Sequence, residues 1–159
     1  MPRTHVPEDD RYVSSLPDGP VQSTYWLRRG RTILMLKLLL VGAGGFLGSI
    51  SRYALGGWVH RLLPGARFPY GTLAVNAVGC LLIGLLAGLA DSRGVLSPEA
   101  RLFLLIGFLG GFTTFSTFGY ETLALARDAE TLRALANVAL HLGAGLGAVW
   151  LGYALGERG

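Results

Sequence analysis

The sequence predicts an all-α membrane protein: four transmembrane helices with a broken third helix. Three observations carry the prediction. The 159-residue chain is 51% hydrophobic and only 15% charged, with a mean hydropathy of +0.46, whereas a soluble domain is about 25% charged. Four segments, about 33–57, 71–90, 102–120 and 134–156, reach the roughly 20 apolar residues that a bilayer crossing needs. The third of these contains GFLGGFTTFSTF, Gly107 to Phe118, inside the uncharged stretch Leu102–Tyr120. In hydrocarbon every backbone polar group needs a partner, so a glycine pair followed by Thr113, Thr114, Ser116 and Thr117 makes sense where loosened backbone lines a cavity or binds something.

Taken in order, residues 1–31 are rich in Pro, Ser, Asp and Arg and lack apolar periodicity, which predicts a disordered tail. Residues 32–159 make one four-helix domain, because the short connections leave no room for a second. The first apolar run begins near Ile33 and is long enough to span, which makes it an anchor and not a cleaved leader. Its VGAGGFLG, Val41–Gly48, imitates a dinucleotide fingerprint, but Leu47 stands where Gly or Ala is needed and no acidic residue follows about 20 positions later. A nucleotide-binding enzyme is rejected on that ground. Lys37 and Arg52 lie about 22 Å apart along this helix, so snorkelling at opposite faces accounts for both. Arg52 is also a candidate for drawing anions into a vestibule.

The second span carries Asn76 and Cys80, the only cysteine, which excludes an intrachain disulfide and reads as a small packing residue. In the fourth span Asn137, His141 and Gly145 recur every four residues and share one face. GxxxG pairs at Gly44/Gly48, Gly84/Gly88, Gly107/Gly111, Gly143/Gly147 and Gly152/Gly156 give each span a face on which another helix can approach closely.

A pI of about 9.6 could suggest nucleic acid, yet the arginines are scattered over span ends and the tail instead of forming a stripe, so membrane lipid headgroups are the partners expected. Orientation follows from Lys and Arg near the spans. Arg28, Arg29, Arg31, Lys37, Arg93, Arg101 and Arg158 share one side, and Arg52, Arg61, Arg67, Arg127 and Arg133 the other. Seven against five is a weak bias, which allows insertion in both orientations and hence an antiparallel dimer.

The polar groups left in the spans are Asn76, the Thr/Ser group of the third span, Asn137 and His141, with Glu121 near an end. A cation or proton-coupled transporter is expected to hold a membrane-embedded carboxylate, and spans one, two and four have none. The permeant species is therefore an anion or a neutral polar solute. Amide and hydroxyl donors can replace its water in small steps, and a phenylalanine ring edge carries the positive end of its quadrupole. Phe115 and Phe118 lie three apart beside Ser116 and Thr117. The main alternative, a small dual-topology four-helix exporter of organic cations, needs a carboxylate in the first span. A non-transporting scaffold leaves the donor-rich break unexplained. No ATP-binding motif or catalytic triad is present, so no enzyme is expected.

GGFLGSISRY (Gly44–Tyr53), PYGTLAVNAVGC (Pro69–Cys80) and GFLGGFTTFSTFGYET (Gly107–Thr122) resemble, in order and spacing, the three signature segments of the Fluc or CrcB family of microbial fluoride channels. The resemblance covers about residues 34–157. It implies a dual-topology homodimer in the inner (plasma) membrane that exports cytoplasmic fluoride passively through two pores lined by both chains. Asn76 would donate its amide to fluoride and Phe115 and Phe118 their ring edges, with Thr114, Ser116 and Thr117 extending the donor track. The main-chain carbonyls of Gly110 and Thr113 would hold a structural sodium ion on the dimer axis. Glu121 occupies a position where the family pattern also has an acid. His141 departs from the Ser, Thr or Tyr usual on the fourth helix; it is an interior histidine by default and otherwise a donor in the pore or its vestibule.

Overall fold

The computed structural model describes residues 8–15 and 19–158, and the chain divides into two units, residues 1–39 and 40–159. Among the described residues, four helical stretches are long and apolar enough to cross a membrane: Leu27–Leu62, Tyr70–Arg93, Pro98–Arg127 and Thr131–Arg158. Each contains one of the expected spans and extends beyond it.

The first unit departs from the expected tail. Helix α1 spans Glu8–Ser14, and helix α2 already starts at Pro20 and runs to Leu62. Within these helices the hydroxyls bond locally: Ser14 and Ser15 donate to the Arg11 and Tyr12 carbonyls, and Thr24 and Thr32 donate four residues back to Pro20 and Arg28. Asp10 and Arg29 form an ion pair. The part of the tail expectation that concerns residues 1–7 and 16–18 lies outside the described residues.

In the second unit, α3 (Tyr70–Arg93) stops where Gly94 turns left-handed at φ 61°. Ser97 then caps α4 (Pro98–Arg101) by accepting the Ala100 N–H, with Pro98 at the first helical position. A π-helical stretch, Leu102–Leu109, follows directly, then the short α5 (Gly110–Phe112). Helix α6 (Phe115–Arg127) and α7 (Thr131–Arg158) complete the fold. Glu130, at the turn between them, accepts from Arg67 at 3.0 Å and Arg133 at 2.5 Å, so the loop before α3 is tied to that turn.

Close packing uses the glycine pairs. A Cβ at Gly84 or Gly88 would collide with the Val149 or Tyr153 carbonyl, and one at Gly152 or Gly156 with the Leu81 or Leu85 carbonyl, so α3 and α7 meet backbone to backbone. Gly44 and Gly48 of α2 sit equally close to the carbonyls of Phe103 and Phe108, and Gly107 and Gly111 close to Val41 and Gly45. Gly143 and Gly147 differ: a Cβ placed at either would meet nothing within 4 Å beyond its own helix, so this pair makes no such close approach within the chain.

Candidate functional site

Helical dihedrals end at Phe112 and resume at Phe115. Between them Thr113 (φ −80°, ψ 158°) and Thr114 (φ −150°, ψ 113°) are extended. Gly110, by contrast, is helical at φ −63°, ψ −37°. The glycine pair is therefore not the point of opening, and Gly111 serves instead to let the chain touch Gly45.

Extended backbone in an apolar span needs partners from elsewhere. Asn76 of α3 supplies two, accepting the Thr114 N–H on Oδ1 at 2.8 Å and donating Nδ2–H to the Thr114 carbonyl at 3.1 Å. Gly79, three residues on, has no room for a Cβ beside Thr113, so α3 can come close enough for this clasp. Thr114 also caps α6, its Oγ1 accepting the Thr117 N–H at 3.2 Å and lying 3.0 Å from Thr117 Oγ1 and 3.3 Å from Ser116 Oγ. Two carbonyls thereby lose the N–H four residues ahead that a regular helix would provide: that of Gly110, because Thr114 N–H goes to Asn76, and that of Thr113, because Thr117 N–H goes to the cap. Arg52 of α2 reaches the Thr113 carbonyl with Nη1 at 3.4 Å. Its guanidinium lines a cavity of about 360 Å³ together with Ser49, Thr72, Thr114 and Thr117. A second cavity, of about 240 Å³, is lined by Asn76, Cys80, Leu109, Gly110 and Thr113.

Phe115 and Phe118 touch, with centroids 5.4 Å apart and rings tilted by 56°. Their surroundings differ. Phe118 is buried against the imidazole of His141 at a centroid distance of 4.4 Å, whereas Phe115 is 82% exposed on the outside of the chain. His141 sets Nδ1 2.9 Å from the Asn137 carbonyl, and the wholly buried Asn137 donates Nδ2–H to Thr122 Oγ1 at 2.8 Å. Glu121 accepts the Thr72 hydroxyl at 2.7 Å, a hydrogen-bonded acid and not a solvated one.

The structure thus gathers Arg52, Asn76, Thr113, Thr114 and Thr117 around one interruption, and Phe118 with His141 beside it. Phe115 stays apart on the surface. Thr72 and Thr122 were missed from the sequence. Thr72 was readable, since it stands one helical turn before Asn76 on the same face. Thr122 was not, because only the packing of α6 on α7 brings it to Asn137.

Residues 39–153 match the family model described as CrcB-like protein, Camphor Resistance (CrcB). The chain belongs to the CrcB family. The match includes every site residue named above and leaves out residues 1–38. The chain is also 46% identical over 123 residues to the fluoride-specific ion channel FluC of Acidobacterium capsulatum, covering 77% of this chain and 98% of that protein. It is 49% identical over 118 residues to the protein of the same name from Geotalea uraniireducens, covering 74% and 94%. For the one from Clostridium novyi the values are 41% over 123 residues, 77% and 95%. All three relatives thus align over nearly their whole length.

Proposed function

We propose that this multi-pass membrane protein is a fluoride-selective channel that lets cytoplasmic fluoride leave passively across the plasma membrane. The observation that carries the reading is the extended pair Thr113–Thr114 within an apolar span, clasped by Asn76, in a family whose curated members carry the name of fluoride channels. Asn76 uses one of its two Nδ2–H groups on Thr114, and the second is left for an anion. The Thr114, Ser116 and Thr117 hydroxyls continue the row of donors, and Arg52 with its cavity forms an anion-collecting vestibule. Selectivity over chloride then rests on a narrow dry path, where a larger ion loses hydration without adequate replacement. Purified protein in liposomes is expected to release fluoride without ATP or an imposed proton gradient, with chloride far slower. Efflux that stops when the proton gradient is collapsed, with a counter-ion path supplied, would make it a coupled transporter instead.

A homodimer is part of this reading. Phe115 can line a narrow path with its ring edge only if something covers its exposed face, and a second, antiparallel copy is the occupant that the weak charge bias permits. Reporters fused to the C-terminus are expected on both membrane faces; appearance on a single face would remove the dual topology.

The carbonyls of Gly110 and Thr113 suit a structural sodium ion, since both lack their helical donors and are hard oxygens. Bound there, the ion would supply positive charge between subunits. Arg52 also approaches the Thr113 carbonyl, so ion and guanidinium would share it. Gly110 is exposed, and nothing in its own chain lies within 4 Å of a Cβ placed there. Gly110→Val should therefore leave the single chain folded and break the pairing of subunits, giving monomer in size-exclusion chromatography. Intact, conducting Gly110→Val dimers would show that the axial site lies elsewhere.

A further inference from the structure

Helix α2 is longer than a bilayer crossing requires. Its apolar stretch Leu27–Leu62 has 36 residues, where a span needs about 20. At its start that stretch carries a basic collar, Arg28, Arg29 and Arg31, just before the apolar run that opens at Ile33. At 1.5 Å per residue, Arg31 and Arg28 stand about 3 and 7.5 Å before Ile33 along the axis. The headgroups add a layer of about 5–7.5 Å to each side of the hydrocarbon, so both arginines sit at headgroup depth. The collar belongs to the first unit and lies outside the family match.

Its three arginines are not equivalent. Arg29 is engaged with Asp10 of α1, which ties α1 to that side of α2. Arg28 and Arg31 stand about 100° and 160° away from it round the helix and about 60° from each other. Both are exposed, and none of the ion pairs among the described residues includes them. One and two turns further along, Met35 falls between them in angle and Leu38 within about 20° of Arg31. These two apolar side chains are 53% and 56% exposed. A single open face thus carries two guanidiniums at headgroup depth and an apolar strip directly below them.

The geometry points to the face of Arg28, Arg31, Met35 and Leu38 as a binding site for an acidic phospholipid. The guanidinium forks donate to the phosphate and the anionic headgroup, the attraction that basic segments beside a span exert on anionic lipid, while an acyl chain lies along Met35 and Leu38. A soluble acidic partner would match the arginines alone, and another apolar helix the strip alone. The site requires that α2 cross a membrane and is independent of what the protein conducts.

Native mass spectrometry of the full chain in neutral detergent, titrated with dioleoyl-phosphatidylglycerol or dioleoyl-phosphatidylcholine, should show the acidic lipid held more tightly. Arg28→Gln with Arg31→Gln should reduce that preference by about tenfold or more, roughly fivefold for each arginine near the surface, with helix content and subunit number unchanged. Arg28→Lys with Arg31→Lys keeps both charges and should retain most of the preference, and Arg29→Gln, on the side held by α1, should cost less than the glutamine pair. Equal retention of the two lipids by the wild type overturns the proposal, as does a full preference in the folded glutamine variant. Displacement of the lipid by inorganic phosphate at matched ionic strength would make this a free-anion site instead, and a changed subunit number in the glutamine variant would make the face a contact between copies; either overturns it. Failure of fluoride efflux would defeat the channel reading and leave this result untouched.

Discussion

Asn76→Leu lowers fluoride efflux from liposomes by at least about tenfold, because a lost donor to an ion costs about 1 to 3 kcal/mol or more and about 1.4 kcal/mol of barrier is tenfold in rate. Two separate losses contribute. The substitution removes the N–H left for the anion, and it also strips the Thr114 N–H and C=O of their partners inside the span. Asn76→Asp separates them: Oδ1 still accepts the Thr114 N–H, but both amide donors are gone and a negative charge stands in their place. Efflux by ion-selective electrode, with dimer content checked by size exclusion, should therefore show Asp at least as inactive as Leu, and better folded if the Thr114 N–H bond is what secures the extended pair. Wild-type flux in a folded Asn76→Leu dimer would return Asn76 to helix packing alone.

The four spans were legible because a bilayer crossing is a matter of length and apolar content, and both are written locally. Where the backbone opens was only half legible. The residue types mark the region, but they point to Gly110–Gly111, while the extended residues are Thr113 and Thr114. Flexibility is not the deciding quantity. Opening occurs where a substitute partner exists, and that partner, Asn76, lies 38 residues away in sequence, a distance that no periodicity encodes. The same holds for Phe115 and Phe118: spacing of three puts their rings in contact, yet only the position of α7 decides that Phe118 is covered by His141 and Phe115 is not.

Glycine substitutions of one chemical kind are expected to divide sharply by position. Gly84→Ala adds a single methyl, but its Cβ would run into the Val149 carbonyl oxygen, with the Tyr153 N–H at 2.9 Å. Both are helix backbone, which cannot rotate aside as a side chain does. Helices α3 and α7 would have to separate along their shared face, and the cost of such overpacking, about 1 to 3 kcal/mol or more, exceeds the gain of about 1 kcal/mol that alanine brings to a helix interior. The partner pair Gly152/Gly156 faces the same limit from the other side, so Gly84→Ala and Gly152→Ala together add little beyond the first once the helices have moved apart. Gly143→Ala sits in an identical GxxxG pattern with open space around it and keeps the propensity gain. Thermal melts in detergent should show Gly84→Ala lowered by up to about 8 °C, for a net cost of up to about 2 kcal/mol at about 2–4 °C per kcal/mol for a chain of this size, and Gly143→Ala level or slightly raised. Equal melting of the two would mean that α3 and α7 do not meet backbone to backbone. A fall confined to Gly143→Ala would place that face against another copy of the chain.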